Sequence, residues 1–123
     1  MKTNPVAWFE IYVQDMNRAK QFYEAVFQTK LERLLNDEPE MWSFPMDMQQ
    51  WGASGALVRM PGFTSGRNST LVYFSCEDCA VEAQRVVPAG GGIQKEKFSI
   101  GQYGFIALVF DTEGNMIGLH SLR

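Results

Sequence analysis

The pattern of one strand, one helix and three further strands occurs twice along this chain, and a repeat of that kind restricts the fold more than any single motif does. In its first occurrence "VAWFEIYV", Val6 to Val13, is an aromatic and β-branched run of strand length, and Asp15 stands as N-cap before "MNRAKQFYEAVFQ". Ala19, Phe22, Tyr23, Val26 and Phe27 fall at i, i+3, i+4, i+7 and i+8, which predicts a helical stripe turned toward a core. Strand segments follow in "LERLLNDEPE", in "MWSFPM", where Trp42 and Phe44 share one side, and in "SGALVRMPGF", which ends in a Pro-Gly turn. After the polar connector "TSGRNS" the pattern begins again. "TLVYFSC" is a strand, Asp78 an N-cap, "CAVEAQRVV" a helix and "PAGGG" its terminator. "GGIQKEKF", "YGFIALVFD" and "NMIGLHSL" read as three strands, the last two joined by "DTEG". Setting Asp15 on Asp78 lays "WFEIYVQD" over "LVYFSCED", strand on strand and cap on cap.

Composition limits what such a repeat can serve. At 123 residues and 46% hydrophobic, the chain suits one domain, with module 1 at about 5–62 and module 2 at about 68–122. Its 11 basic and 14 acidic residues give a formal charge of -3 without a basic run, so nucleic acid is not an expected partner. No signal peptide is expected, and no membrane span, since nowhere do about 18 apolar residues run together. The expected location is cytoplasmic. Cys76 and Cys79 form a C-x-x-C where a strand gives way to a helix, a place that suits a reactive thiolate. Two acids between the sulfurs oppose that ionisation, and no second cluster completes a zinc site, so structural thiols are expected.

The chain opens with V-x-D-x-x-x-A-x-x-F-Y, at Val13, Asp15, Ala19, Phe22 and Tyr23, and closes with D-x-x-G-N-x-x-x-L, at Asp111, Gly114, Asn115 and Leu119. With two βαβββ units between them, it resembles the vicinal oxygen chelate superfamily of glyoxalases, bleomycin-resistance proteins and extradiol dioxygenases. The resemblance implies an α+β fold in which two modules form an open, cup-shaped eight-stranded sheet with the helices outside. It also implies a divalent metal in many members, and a homodimer. Counting back seven from Asp15 and from Asp78, where members carry ligands, reaches Trp8 and Leu71; counting seven forward from Asp111 reaches Gly118. The remaining ligand strand, Ser54 to Met60, holds no acid, histidine or glutamine. Neither a metal nor another cofactor is therefore expected.

Strand alternation indicates which side chains would line the cup. Ala7, Phe9, Ile11 and Val13 are expected to meet the helix, leaving Trp8, Glu10 and Tyr12 on the inner face. Leu71, Tyr73 and Ser75 are their counterparts in the second module, with Val72, Phe74 and Cys76 beneath its helix. In the last strand Ile117 and Leu119 turn outward, while Met116, Gly118 and His120 look inward, the missing side chain at Gly118 leaving extra room. Trp42, Phe44 and Trp51 are expected to join this lining.

An acid among Trp, Phe, Ile and Tyr is expensive to bury unless it is paired or protonated. Glu10 therefore reads as a catalytic base, alone or with His120, the only histidine, as partner acid, or else as a structural group paired with Arg59 or another basic residue or set at a strand edge in water. Two functions follow. One is a metal-independent protein that holds an unknown aromatic or cationic small molecule. The other is a divergent lyase or isomerase using Glu10 and His120 for proton transfer.

Overall fold

The computed structural model describes residues 4–35, 37–66, 69–112 and 114–123, so Asn36, the connector residues Arg67 and Asn68, and Glu113 of the "DTEG" turn lie outside the described residues. β1 (Val6–Tyr12) leads to α1 (Met16–Phe27), β2 (Glu32–Arg33), β3 (Glu40–Ser43) and β4 (Ser54–Arg59). β5 (Thr70–Ser75) then leads to α2 (Cys79–Val86), β6 (Gly92–Ser99), β7 (Phe105–Phe110) and β8 (Met116–Ser121). The α+β class and both βαβββ patterns are as the sequence predicts. Among the described residues no helix is long and apolar enough to cross a membrane.

The chain divides into two units, Trp8–Thr70 and Leu71–Arg123, the latter taking in the residues before Trp8. In the first unit the strand order is β2-β3-β4-β1, with β1 and β4 parallel and the others antiparallel. Asp15 caps α1 by accepting from the Arg18 amide at 3.1 Å. Val13, Met16, Leu31 and Leu57 form the core under α1, joined by Ile11, Ala19, Tyr23, Trp42 and Phe44. The helical stripe is narrower than its spacing predicts: Phe22, Val26 and Phe27 are more than half exposed. At about 100° per residue, Phe22 and Val26 lie roughly a quarter turn from the Met16–Tyr23 line, whereas Phe27 lies on that line but is the last residue of α1.

The second unit repeats the plan in the order β5-β8-β7-β6, with β5 and β8 parallel. Asp78 caps α2 through the Ala80 amide at 3.0 Å and pairs with Lys97 at 2.8 Å. The Lys97 hydrogen bond, the Ala80 amide and the nearby positive charges hold its carboxyl below the usual carboxylate range. Cys79, Ala83, Ala107, Val109 and Leu119 are the buried centre, with Phe74, Cys76, Ile93 and Ile117 packed against them. Ser121 ties the helix start to the last strand, because its hydroxyl accepts from the Cys79 amide at 3.0 Å and donates to the Arg123 carbonyl at 2.8 Å.

Candidate functional site

β1 alternates as expected: Ile11 and Val13 pack under α1, and Trp8, Glu10 and Tyr12 take the other face. The three side chains of that face are joined. The Tyr12 hydroxyl donates to Glu10 Oε1 at 2.7 Å, and the Trp8 indole N–H donates to Oε2 at 3.3 Å. Glu10 is only 8% exposed, so these donors offset part of what its carboxylate loses on leaving water. Across from it on β4 lies the fully buried Ala56, a flat apolar neighbour.

Phe63, Ser65 and Ser69 meet Tyr12 at the end of this face, which the sequence did not disclose because "TSGRNS" reads simply as a polar link. Phe63, just before it, stacks on Tyr12 with ring centroids 5.0 Å apart and planes 23° apart. Ser65 donates to the Tyr12 carbonyl at 3.1 Å, and the Tyr12 amide donates to the Ser69 carbonyl at 2.7 Å. The aromatic "PGF" end of the turn was the available signal. An open groove of about 340 Å³ runs along the start of α1 past Gln14, Arg18 and Phe22. Its polar side chains include groups already engaged, with Gln14 donating to the Phe63 carbonyl and Asp15 capping the helix.

Trp42 and Phe44 do not share the face of Glu10. Trp42 is the cross-strand partner of Leu57, and Leu57 in turn is the partner of Ile11, so the register turns Trp42 toward α1. There Lys20 Nζ sits 3.2 Å from the Trp42 ring centroid, and Phe44 meets Phe9 and Tyr23. Trp42 also donates to Glu40 at 3.1 Å, and Arg59 pairs with Glu40 at 3.2 Å. Burial pushes the Glu40 carboxyl up, but the bonds from Trp42 and Arg59 and the charges of Arg59 and Arg33 outweigh it and leave it below its ordinary value. Trp51 stands on the β3–β4 loop, 91% exposed.

In the second module, Leu71 and Tyr73 are buried on the face of β5 turned away from α2, while Phe74 and Cys76 pack toward the helix. Gly118 does not leave open room. It faces Tyr73 across the parallel pair, and a Cβ at position 118 would collide with the Tyr73 ring, so the phenol fills the space that the glycine vacates. Met116 is half-buried beside Phe110, its cross-strand partner on β7. His120 is half-buried, with Nε2 at 2.6 Å from the Tyr103 carbonyl, a contact that makes Nε2 the protonated nitrogen.

The residues at the family's ligand positions do not fit a divalent metal. Trp8 presents an N–H that is committed to Glu10, Leu71 is aliphatic, and Gly118 lies beneath a ring. On β4 the hydroxyl of Ser54 points its proton at the Phe44 and Pro45 carbonyls. Among the described residues, no three His, Cys, Asp or Glu side chains gather where a metal ion could sit. The cysteines are packed thiols: Cys79 is fully buried, and burial, then the charge of Glu82, pushes the Cys76 thiol up to about 11.

Paired βαβββ modules, each with its own helix-covered core, define the class of protein. The Glyoxalase/Bleomycin resistance protein/Dioxygenase superfamily model matches residues 6–119, and the chain belongs to that superfamily. No curated protein matches the sequence. Among solved structures it is similar to Streptomyces coelicolor methylmalonyl-CoA epimerase in complex with 2-nitronate-propionyl-CoA, at 14% identity and TM-score 0.68 over 98% of both chains. Methylmalonyl-CoA epimerase from Mycobacterium tuberculosis matches at 15% identity and TM-score 0.68, over 100% of this chain and 93% of that one. A hypothetical protein from Bacillus halodurans reaches TM-score 0.71 at 14% identity, over 99% of this chain and 96% of that one. At such identities the likeness concerns the fold.

Proposed function

We propose that the protein is a metal-independent, small-molecule-binding member of its superfamily, cytoplasmic and homodimeric, that holds an aromatic or cationic ligand against Trp8, Glu10 and Tyr12. One observation carries this reading: a buried carboxyl group is held by an indole and a phenol on the strand face turned away from α1. Aromatic walls supply contact area to a planar ligand, and a fixed carboxylate supplies direction and charge. Benzamidine, an aromatic amidinium, combines both features and serves as a probe. In a thermal-shift titration it raises the melting temperature of wild type equally before and after chelator treatment, and Glu10→Gln loses the rise. Stoichiometric metal in the purified protein, with stability lost on chelation, overturns the metal-independent reading.

The similarity to methylmalonyl-CoA epimerases favours a second reading, a lyase or isomerase in which Glu10 and His120 move protons. It predicts that the protein exchanges the α-proton of methylmalonyl-CoA with deuterium from solvent, and that Glu10→Gln abolishes the exchange. Undiminished exchange in that variant removes Glu10 as the base.

A further inference from the structure

Between β3 and β4 the chain makes a loop whose stem is fixed and whose tip is apolar. The Phe44 amide donates to the Gly55 carbonyl at 2.9 Å, and the Ser54 hydroxyl shares its proton between the carbonyls of Phe44 at 3.2 Å and Pro45 at 2.9 Å. At the tip Met46 is 50% exposed, Met48 86% and Trp51 91%. Three large apolar side chains held in water within one short loop point to a second, buried state of that loop. Asp47 gives the tip its own local structure, accepting from the Gln49 amide through its side chain at 2.9 Å and from the Gln50 amide through its carbonyl at 3.1 Å. Gly52, at φ 98, has nothing within 4 Å of where a Cβ would stand, so the chain turns there unhindered.

The stem also sets where the loop lies. Leu57 belongs to the face under α1, so by alternation Ser54, Ala56 and Val58 share the face of Glu10. Ser54 is the register partner of Trp8, and its side chain clasps the Pro45 carbonyl. The loop therefore leaves β3 on the Glu10 side, beside the indole at the start of the trio. We infer that the loop between Pro45 and Ala53 is a strap that closes on the ligand held at Trp8, Glu10 and Tyr12, with Met48 and Trp51 as the outer wall of the site. This rests on the reading of that face as the binding site. Met48 adapts to irregular ligand shapes, and Trp51 offers a flat stacking surface, so the strap selects for a planar ring.

The full chain, labelled with fluorotryptophan, gives one fluorine resonance for each of its 3 tryptophans. Single Trp→Phe variants assign them, and the shift between light and heavy water reports the exposure of each ring. With benzamidine as probe, the Trp51 solvent shift falls by at least half at saturation, and Trp51→Ala weakens binding by roughly five- to tenfold, the scale of one aromatic contact. If the probe moves the Trp8 resonance while Trp51 keeps its full solvent shift, and Trp51→Ala binds equally well, the strap is wrong and the binding face stands. If Trp8 does not respond, the binding face fails and the strap with it. Protection of Trp51 without probe, growing with protein concentration, would assign the tip to a second copy of the chain and overturn the strap.

Discussion

The two modules solve the same position differently. Glu10 on β1 and Tyr73 on β5 correspond when Asp15 is laid on Asp78, and both side chains turn away from their helix. In the first module the strand across is occupied by Ala56, and the carboxylate is held by its own strand neighbours Trp8 and Tyr12. In the second the strand across has Gly118, and the Tyr73 ring lies down on it. One module keeps a directed polar group on that face, and the other fills the face with itself. A duplicated fold can thus carry a directed polar group at a position in one half and a packing contact at the same position in the other.

Tyr73 and Gly118 give the largest effects. Tyr73→Ala removes a ring that is 6% exposed and is expected to cost about 3–5 kcal/mol in denaturant unfolding, the usual range for emptying an aromatic site. Gly118→Ala in the wild-type background costs about 1–3 kcal/mol through overpacking against that ring. In the Tyr73→Ala background the same change becomes nearly neutral, so the double-mutant cycle shows strong coupling. Additive costs would mean that ring and glycine do not depend on each other. The equivalent test in the first module is milder: Tyr12→Phe, which removes the donor to Glu10 and keeps the ring on Phe63, costs about 1 kcal/mol.

Opposite pH sensitivities sharpen the contrast further, with smaller effects. Glu40 of the first module titrates below its ordinary value of 4.5, so its contribution is present above that value and is lost as pH falls through the folded one. The difference in stability between wild type and Glu40→Gln should therefore shrink on acidification below about 4.5. Cys76 of the second module is raised from 9.0 to about 11, so its contribution is complete below 9.0 and is lost as pH climbs toward 11. Wild type should lose stability relative to Cys76→Ser across that window, as read from unfolding midpoints. Parallel curves for wild type and either variant would remove the corresponding group from the account.

Local signals in the sequence reach most of the fold. Strand-length apolar runs, the Asp15 and Asp78 caps and the Gly-rich helix terminator each predict an element that the structure contains, and alternation places Trp8, Glu10 and Tyr12 together. What alternation cannot supply is the phase of one strand against another. Trp42 and Phe44 turn to the helix because β3 pairs with β4 in a register that only tertiary contact fixes. The space at Gly118 is filled by a neighbour that sequence does not reveal, since a missing side chain is visible there but the Tyr73 ring that takes its place is not. Phe63 closes over Tyr12 from a segment with no periodicity to read.

The proposed function requires the first module to bind a small molecule at the Trp8, Glu10, Tyr12 face without a metal. A proton–nitrogen correlation spectrum of chelator-treated protein, titrated with benzamidine, tests it most directly, because the Trp8 indole N–H that bonds Glu10 has its own signal. Metal-free binding there gives saturable shifts centred on that indole and on the amides from Trp8 to Tyr12, unchanged by added divalent ions and absent in Glu10→Gln. Shifts that appear only after a divalent ion is added, or that persist in Glu10→Gln, would contradict it.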